Sequence, residues 1–262
     1  CSQNNSIKMK GSDTEVNLAV NLAEQYSLQN NDFSIAISGG GSGLGITSLL
    51  NGQADIANSS RPLSEEEIKS FADNNIEIKT IVFAEDATAF VVNESLAIDE
   101  MDLDLLTKII NGTITNWNQV LPNVNVPINI YGRQSSSGTY SFVKKKLKTE
   151  FALHAKEMTG NAQIIEAIKV DKSGIGYVGA GYISNNNAHG IKVIKIKKDK
   201  SDTLAISPLD ESAINNRTYY FQRPLYQFVL ASSWHKVAPF IEFEKSNAGK
   251  KLIEAAGYYI LE

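Results

Sequence analysis

Cysteine occurs once in the 262 residues, at position 1, and histidine only as His154, His189 and His235. A disulfide framework needs paired cysteines and a structural zinc site needs clustered Cys and His, so neither is expected. No stretch approaches the ~20 consecutive apolar residues of a membrane helix. The densest, Ile81 to Val92, is broken by Glu85 and Asp86. Neither sign of charge dominates: 25 Lys and Arg stand against 29 Asp and Glu, a net charge of -4. Nucleic-acid binding rests on many cations neutralising phosphates, and this balance excludes it as a general activity. What is present is ordinary folded-protein composition, 42% hydrophobic and 21% charged. Disorder, collagen and coiled coil are thereby excluded as global readings. The length suits one large domain or two small ones, at roughly 150 residues each.

The chain opens Cys1-Ser2-Gln3-Asn4-Asn5-Ser6, a polar segment with no apolar anchor. It resembles the start of a mature bacterial lipoprotein, whose signal peptide is cut just before a lipid-modified cysteine. On that reading Cys1 is the lipidation site and residues 1–6 form a tether that holds a folded body off a membrane.

Along the rest of the chain, short apolar runs alternate with helical patterns. Ile7 to Lys10 reads as a strand, and Glu15 to Ser27 as an amphipathic helix with Val16, Leu18, Ala19, Leu22, Ala23 and Tyr26 on one side. Strand patterns follow at 33–37 and 55–57, and helical ones at 43–50 and 65–74. This alternation predicts an α/β fold with a largely parallel sheet. Residues 79–93 form a long β-rich stretch, read as interrupted at Ala84-Glu85-Asp86-Ala87 and as crossing between two lobes. Further strands are expected at 128–131, 174–178, 193–196 and 226–230. Helices are expected at 103–110, 140–147, 237–244 and 248–256.

Four loops share one chemistry: Gly11-Ser12-Asp13-Thr14, Gly39-Gly40-Gly41-Ser42-Gly43, Asn58-Ser59-Ser60-Arg61 and Ser135-Ser136-Ser137-Gly138-Thr139. Each puts small hydroxyl residues where the first N–H groups of a helix or turn lack internal partners. Such amides, with the helix dipole, attract an anion. Singly, each loop serves equally as a helix cap. Together, outside the carboxyl ends of strands in an α/β chain, they form a candidate ligand site.

Common nucleotide and catalytic motifs fail. G-x-G-x-x-G would need glycine at Leu44 or Ile46, no Gly-Lys-Ser/Thr follows any loop, and neither Ser42 nor Ser137 sits in G-x-S-x-G. No catalytic residue, metal ligand or cofactor is expected.

The four loops, with Asp55-Ile56-Ala57 before the third, Arg133 before the fourth, Gly112 to Trp117 and Arg223-Pro224-Leu225-Tyr226, resemble in order the segments of the phosphate-binding proteins of bacterial ABC importers. The resemblance implies a two-lobe periplasmic-binding-protein fold of type II, with mixed sheets flanked by helices and lobes joined by crossing strands. It places lobe I at 1–86 plus 225–262 and lobe II at 87–224, closing over a desolvated oxyanion. It further implies an extracytoplasmic, lipid-anchored monomer in the cell envelope that hands inorganic phosphate to permease subunits and is not an enzyme. A receptor for sulfate or molybdate is the alternative, and a phosphate-ester enzyme a more distant one.

By position, Ser12, Asp13, Thr14 and Ser42 would bind from the first lobe, and Arg133, Ser137, Gly138 and Thr139 from the second. Better-known members carry a carboxylate where this chain has Ser60; it accepts the proton of phosphate and so rejects sulfate. Asp86 is the expected replacement, with Asp13 the second candidate. Arg61 is expected to reach the anion, or to hold its loop by pairing with Asp55 or Asp86.

Overall fold

The computed structural model describes residues 6–185 and 189–260. The expected lipidation site, Cys1, lies outside the described residues. Contacts divide the chain into unit 1, residues 1–85, 136–138 and 224–262, and unit 2, residues 86–135 and 139–223.

In chain order the first elements are β1 (Ile7–Gly11), α1 (Val16–Ser27), β2 (Ile35–Ser38), α2 (Ser42–Leu50), β3 (Ile56–Ser59), α3 (Glu65–Asp73) and β4 (Ile78–Asn93). Next come β5 (Glu100–Asp102), α4 (Leu103–Ile110), β6 (Asn129–Arg133), α5 (Gly138–Leu147), β7 (Lys156–Met158), α6 (Asn161–Val170) and β8 (Gly174–Gly179). The last are α7 (Ala180–Asn185), β9 (Ile191–Lys197), α8 (Glu211–Asn215), β10 (Gln222–Leu230), α9 (Trp234–Lys245) and α10 (Asn247–Ala255).

In unit 1, β1 pairs in parallel with β2 and β3, and β10 runs antiparallel to β3 with Gln227 opposite Asn58. The two-residue period of strands sends alternate side chains to opposite faces. Ile56 and Val229 join Met9, Leu18, Leu22 and Phe240 in one core, while Ala57 and Phe228 join Ile46, Leu49 and Phe71 in another. Helices α1 and α9 thus cover one face, and α2 and α3 the other. In α1 the buried residues Leu18, Ala19, Leu22 and Ala23 recur at helical spacing. Helix α3 starts on a capping box in which Ser64 and Glu67 satisfy each other's backbone N–H.

In unit 2, β6 pairs in parallel with β7 and β8, and β4 runs antiparallel to β8 and β9. Every residue of β8 is buried. Trp117, fully buried, ties its turn to the residue just before β8 by donating Nε1–H to Ser173 O at 2.9 Å.

The sheets are therefore mixed rather than largely parallel. Parallel neighbours need a crossover connection, whereas β4 enters unit 2 and β10 enters unit 1 as direct continuations of strands. Nor is β4 interrupted at residues 84–87: it runs unbroken through all 16 residues. The two acids that suggested a break are accommodated in extended backbone. Glu85 exchanges backbone hydrogen bonds with Tyr259, and Asp86 is neutralised by Arg223. No described helix is long and apolar enough to cross a membrane.

Candidate functional site: two sets of buried donors

The donors of unit 1 converge because glycine lets their backbones touch. Gly11, at φ +137°, ends β1 where any Cβ would strike the carbonyl oxygen of Asn58. The ends of β1 and β3 consequently lie together, and Ser12 N donates to Asn58 O at 2.9 Å. Gly41, at φ +107°, precedes Ser42 at the start of α2 and donates its N–H to Gly11 O at 2.9 Å. Ser42 is fully buried; its Oγ accepts from Ser60 N at 3.1 Å and lies 3.4 Å from Ser60 Oγ.

The segment 136–138 packs into the same place. Gly43 N donates to Ser136 O at 2.9 Å, and a Cβ on Gly138 would run into both the Ser42 and Ser60 hydroxyls. Ser12, Thr14, Ser42, Ser60 and Ser137 are all buried, while Asp13 is half-buried. Ser12 Oγ has no hydrogen-bond partner. The Thr14 carbonyl accepts from the Tyr258 hydroxyl, which pins the first loop. Unit 1 thus presents neutral donors at helix starts, the chemistry an oxyanion requires.

Unit 2 supplies the charge. Arg133 ends β6 with only 1% of its surface exposed; its N–H donates to the Tyr177 hydroxyl at 2.9 Å and its Nη2 to Thr159 O at 3.1 Å. Burial pushes the Tyr177 phenol well above its usual range, so it stays protonated. Thr139, in the first turn of α5, is fully buried and accepts from Arg223 Nη2 at 3.0 Å. The same nitrogen lies 2.8 Å from Asp86 Oδ2. Burial pushes the Asp86 carboxyl up and Arg223 pulls it back. Arg223 offsets the charge of Asp86, and Arg133 adds a buried positive charge to unit 2.

Ser12, Thr14, Ser42, Ser60, Ser137 and Gly138 are thus brought together in unit 1, and Asp86 with Thr139 in unit 2. Arg61 departs from expectation. It pairs with neither Asp55 nor Asp86 but bidentately with Glu67, both bonds 2.7 Å, and donates to Pro62 O. Burial raises the Glu67 carboxyl, but the bonds from Arg61 and Ser64 outweigh it and hold it below the usual range. Asp55 is taken instead by Lys236 and Ser233, at 2.9 and 2.6 Å. The spacing explains this: six residues separate Arg61 from the N3 position of the helix that its own loop leads into.

Two residues of these sets escape a reading by loops. Arg223 lies in a strand, where its signal is a cation just before Pro224 in an otherwise apolar run. Tyr177 lies in the buried strand β8 and carries no sequence signal beyond its aromatic ring.

Residues 2–243 match the PBP superfamily domain. The phosphate-binding protein PstS of Borreliella burgdorferi is 30% identical over 264 residues, covering 96% of this chain and 88% of its own. PstS of Staphylococcus aureus is 31% identical over 258 residues, covering 96% and 77%. An ABC-type phosphate transport receptor from Vibrio cholerae superposes with a TM-score of 0.74 at 27% identity, over 97% of this chain and all of that one. A Clostridium perfringens structure with bound phosphate gives a TM-score of 0.86 at 21% identity, over 98% and 100%, and supports the two-lobe fold. The chain belongs to the PBP superfamily and, within it, to the PstS phosphate-binding proteins.

Proposed function

We propose that this protein is an extracytoplasmic receptor that captures inorganic phosphate and delivers it to the permease of an ABC transporter. The observation that carries the reading is the burial of ionic and hydroxyl donors at loops whose backbone glycines allow close approach. Burying such groups is costly unless they are hydrogen-bonded or serve a ligand. On this reading Ser12, Thr14, Ser42, Ser60 and Ser137 serve as neutral donors through their hydroxyls, and Asp13 and Gly138 through their backbone amides. Arg133 supplies charge, Thr139 a hydroxyl and amide, and Asp86 an acceptor, while Arg61 shapes the Ser59–Ser60 loop through Glu67.

Binding needs no covalent step and no cofactor, so the protein is a carrier rather than an enzyme. Lipidation at Cys1 would keep a monomer near its permease. Calorimetric titration of ligand-stripped protein with phosphate tests the reading: saturable binding of one ion per chain supports it, and no heat of binding refutes it.

A further inference from the structure

We propose that Asn51 is a site of spontaneous covalent modification, where the backbone nitrogen of Gly52 displaces the side-chain amide and water then leaves aspartate or isoaspartate. Glycine carries no side chain to hinder such an attack. The chain holds two Asn-Gly pairs, Asn51-Gly52 and Asn111-Gly112.

The two pairs share one backbone setting. Asn51 caps the C-terminus of α2 at φ -86°, ψ 7°, and Asn111 that of α4 at φ -87°, ψ -1°. Gly52 and Gly112 follow at φ +65° and +79°. Each glycine N–H donates to a carbonyl of the preceding turn at 3.1 Å, Leu49 O and Ile109 O respectively. Backbone conformation therefore does not separate them.

Their side chains do. Asn111 is half-buried; its Oδ1 accepts from Thr113 N at 3.0 Å and its Nδ2 donates to Thr149 Oγ1 at 3.4 Å. A Cβ on Gly112 would lie 3.0 Å from Ala152 Cβ and 3.3 Å from His154 Cε1, so that turn is packed. Asn51 is exposed, and no hydrogen bond holds its side chain among the described residues. A Cβ on Gly52 would meet nothing within 4 Å. For attack, the carboxamide carbon must swing over the next backbone nitrogen. At Asn51 this gives up the Gly52 amide bond; at Asn111 it also breaks both side-chain bonds and disturbs the packing. Lys8 and Lys10 line the same groove as Gly52. Cations there favour the anionic nitrogen that attacks and the carboxylate that results.

The step consumes only water. A bond forms from Gly52 N to Asn51 Cγ, the Cγ–Nδ2 bond breaks, and Nδ2 departs as ammonia with the proton that Gly52 N gives up. Water opening the cyclic imide at Cγ restores the peptide link and leaves aspartate. Opening at the main-chain carbonyl carbon leaves the chain running through Cγ, as isoaspartate. Either product puts a carboxylate at the C-terminal end of α2, where the helix dipole disfavours it.

The test is incubation of the whole folded protein at mildly alkaline pH, followed by peptide mapping of isoaspartate and of the amide-to-acid mass shift. Asn51 is expected to convert roughly tenfold faster than Asn111, the factor set by the side-chain bonds that Asn111 must lose. In protein unfolded in guanidinium the two should convert at similar rates, since each precedes a glycine. Asn51→Gln should remove most of the isoaspartate. Equal rates in the folded protein, or a faster Asn111, overturn the proposal. So does a rate difference that survives unfolding unchanged, or isoaspartate undiminished in Asn51→Gln.

Discussion

Arg133 is the residue on which the binding reading leans hardest. A guanidinium buried to 1% exposure, with one nitrogen on a carbonyl oxygen and its own amide on a phenol, is oriented before any ligand arrives. Replacing it with alanine would leave a desolvated anion without its main cation, so phosphate affinity in Arg133→Ala should fall roughly 100-fold or more. Parallel titrations of the two proteins check this. Arg133 stood out as a cation two residues ahead of Ser-Ser-Ser-Gly-Thr, and its expected role came from the family resemblance. Arg61 was legible only in part: its charge signalled importance, but the partner was set by a helix cap beginning three residues downstream. Asp86 stood out as an acid in an apolar strand, yet nothing local revealed that its counter-ion lies 137 residues away.

At the scale of elements, α5 shows how tightly helix starts and loops are fitted. Gly138 begins the helix with the hydroxyls of Ser42 and Ser60 filling the space a side chain would need. Gly138→Ala must push both aside, which should cost about 1–3 kcal/mol of stability and weaken phosphate binding together. Urea unfolding and titration of the same variant check it, and adding Ser60→Ala should recover part of the stability. Helix periodicity made α1, α3 and α4 readable, because each buries one stripe and exposes the other. Short elements were harder. Strands β5 and β7 have three residues each, too few for alternation to register, and α6 carries apolar residues without an N-terminal capping side chain. The continuity of β4 was hidden for another reason: its two acids are resolved by tertiary partners rather than by a turn.

For the whole molecule, pH dependence should come from a buried carboxyl in α9. Glu244 in α9 is buried, with Gln227 Nε2 donating to it at 3.1 Å. Burial pushes its carboxyl up to about 8, against the weaker pull of Gln227 and Lys245. Between pH 4.5 and 8 the folded protein therefore keeps a proton that the unfolded chain has lost. Stability from this group is full below pH 4.5, falls as pH rises, and levels off above 8, a change on the order of 4–5 kcal/mol. Glu244→Gln should flatten that slope, and urea midpoints measured across the range will show whether it does. An unchanged slope would place the titration elsewhere. The α/β class was legible from alternation, and the close-packed turns at Gly11 and Gly41 from glycine placement. The antiparallel entries of β4 and β10 were not, because strand direction depends on pairings that lie far apart in the chain.

The most direct test of the account is calorimetric competition on ligand-stripped wild-type protein, with phosphate titrated in the presence and absence of excess sulfate. The account predicts one phosphate per chain, bound at micromolar concentration or tighter, with sulfate leaving the isotherm unchanged. An absence of phosphate binding, or a phosphate isotherm that sulfate displaces, would contradict it.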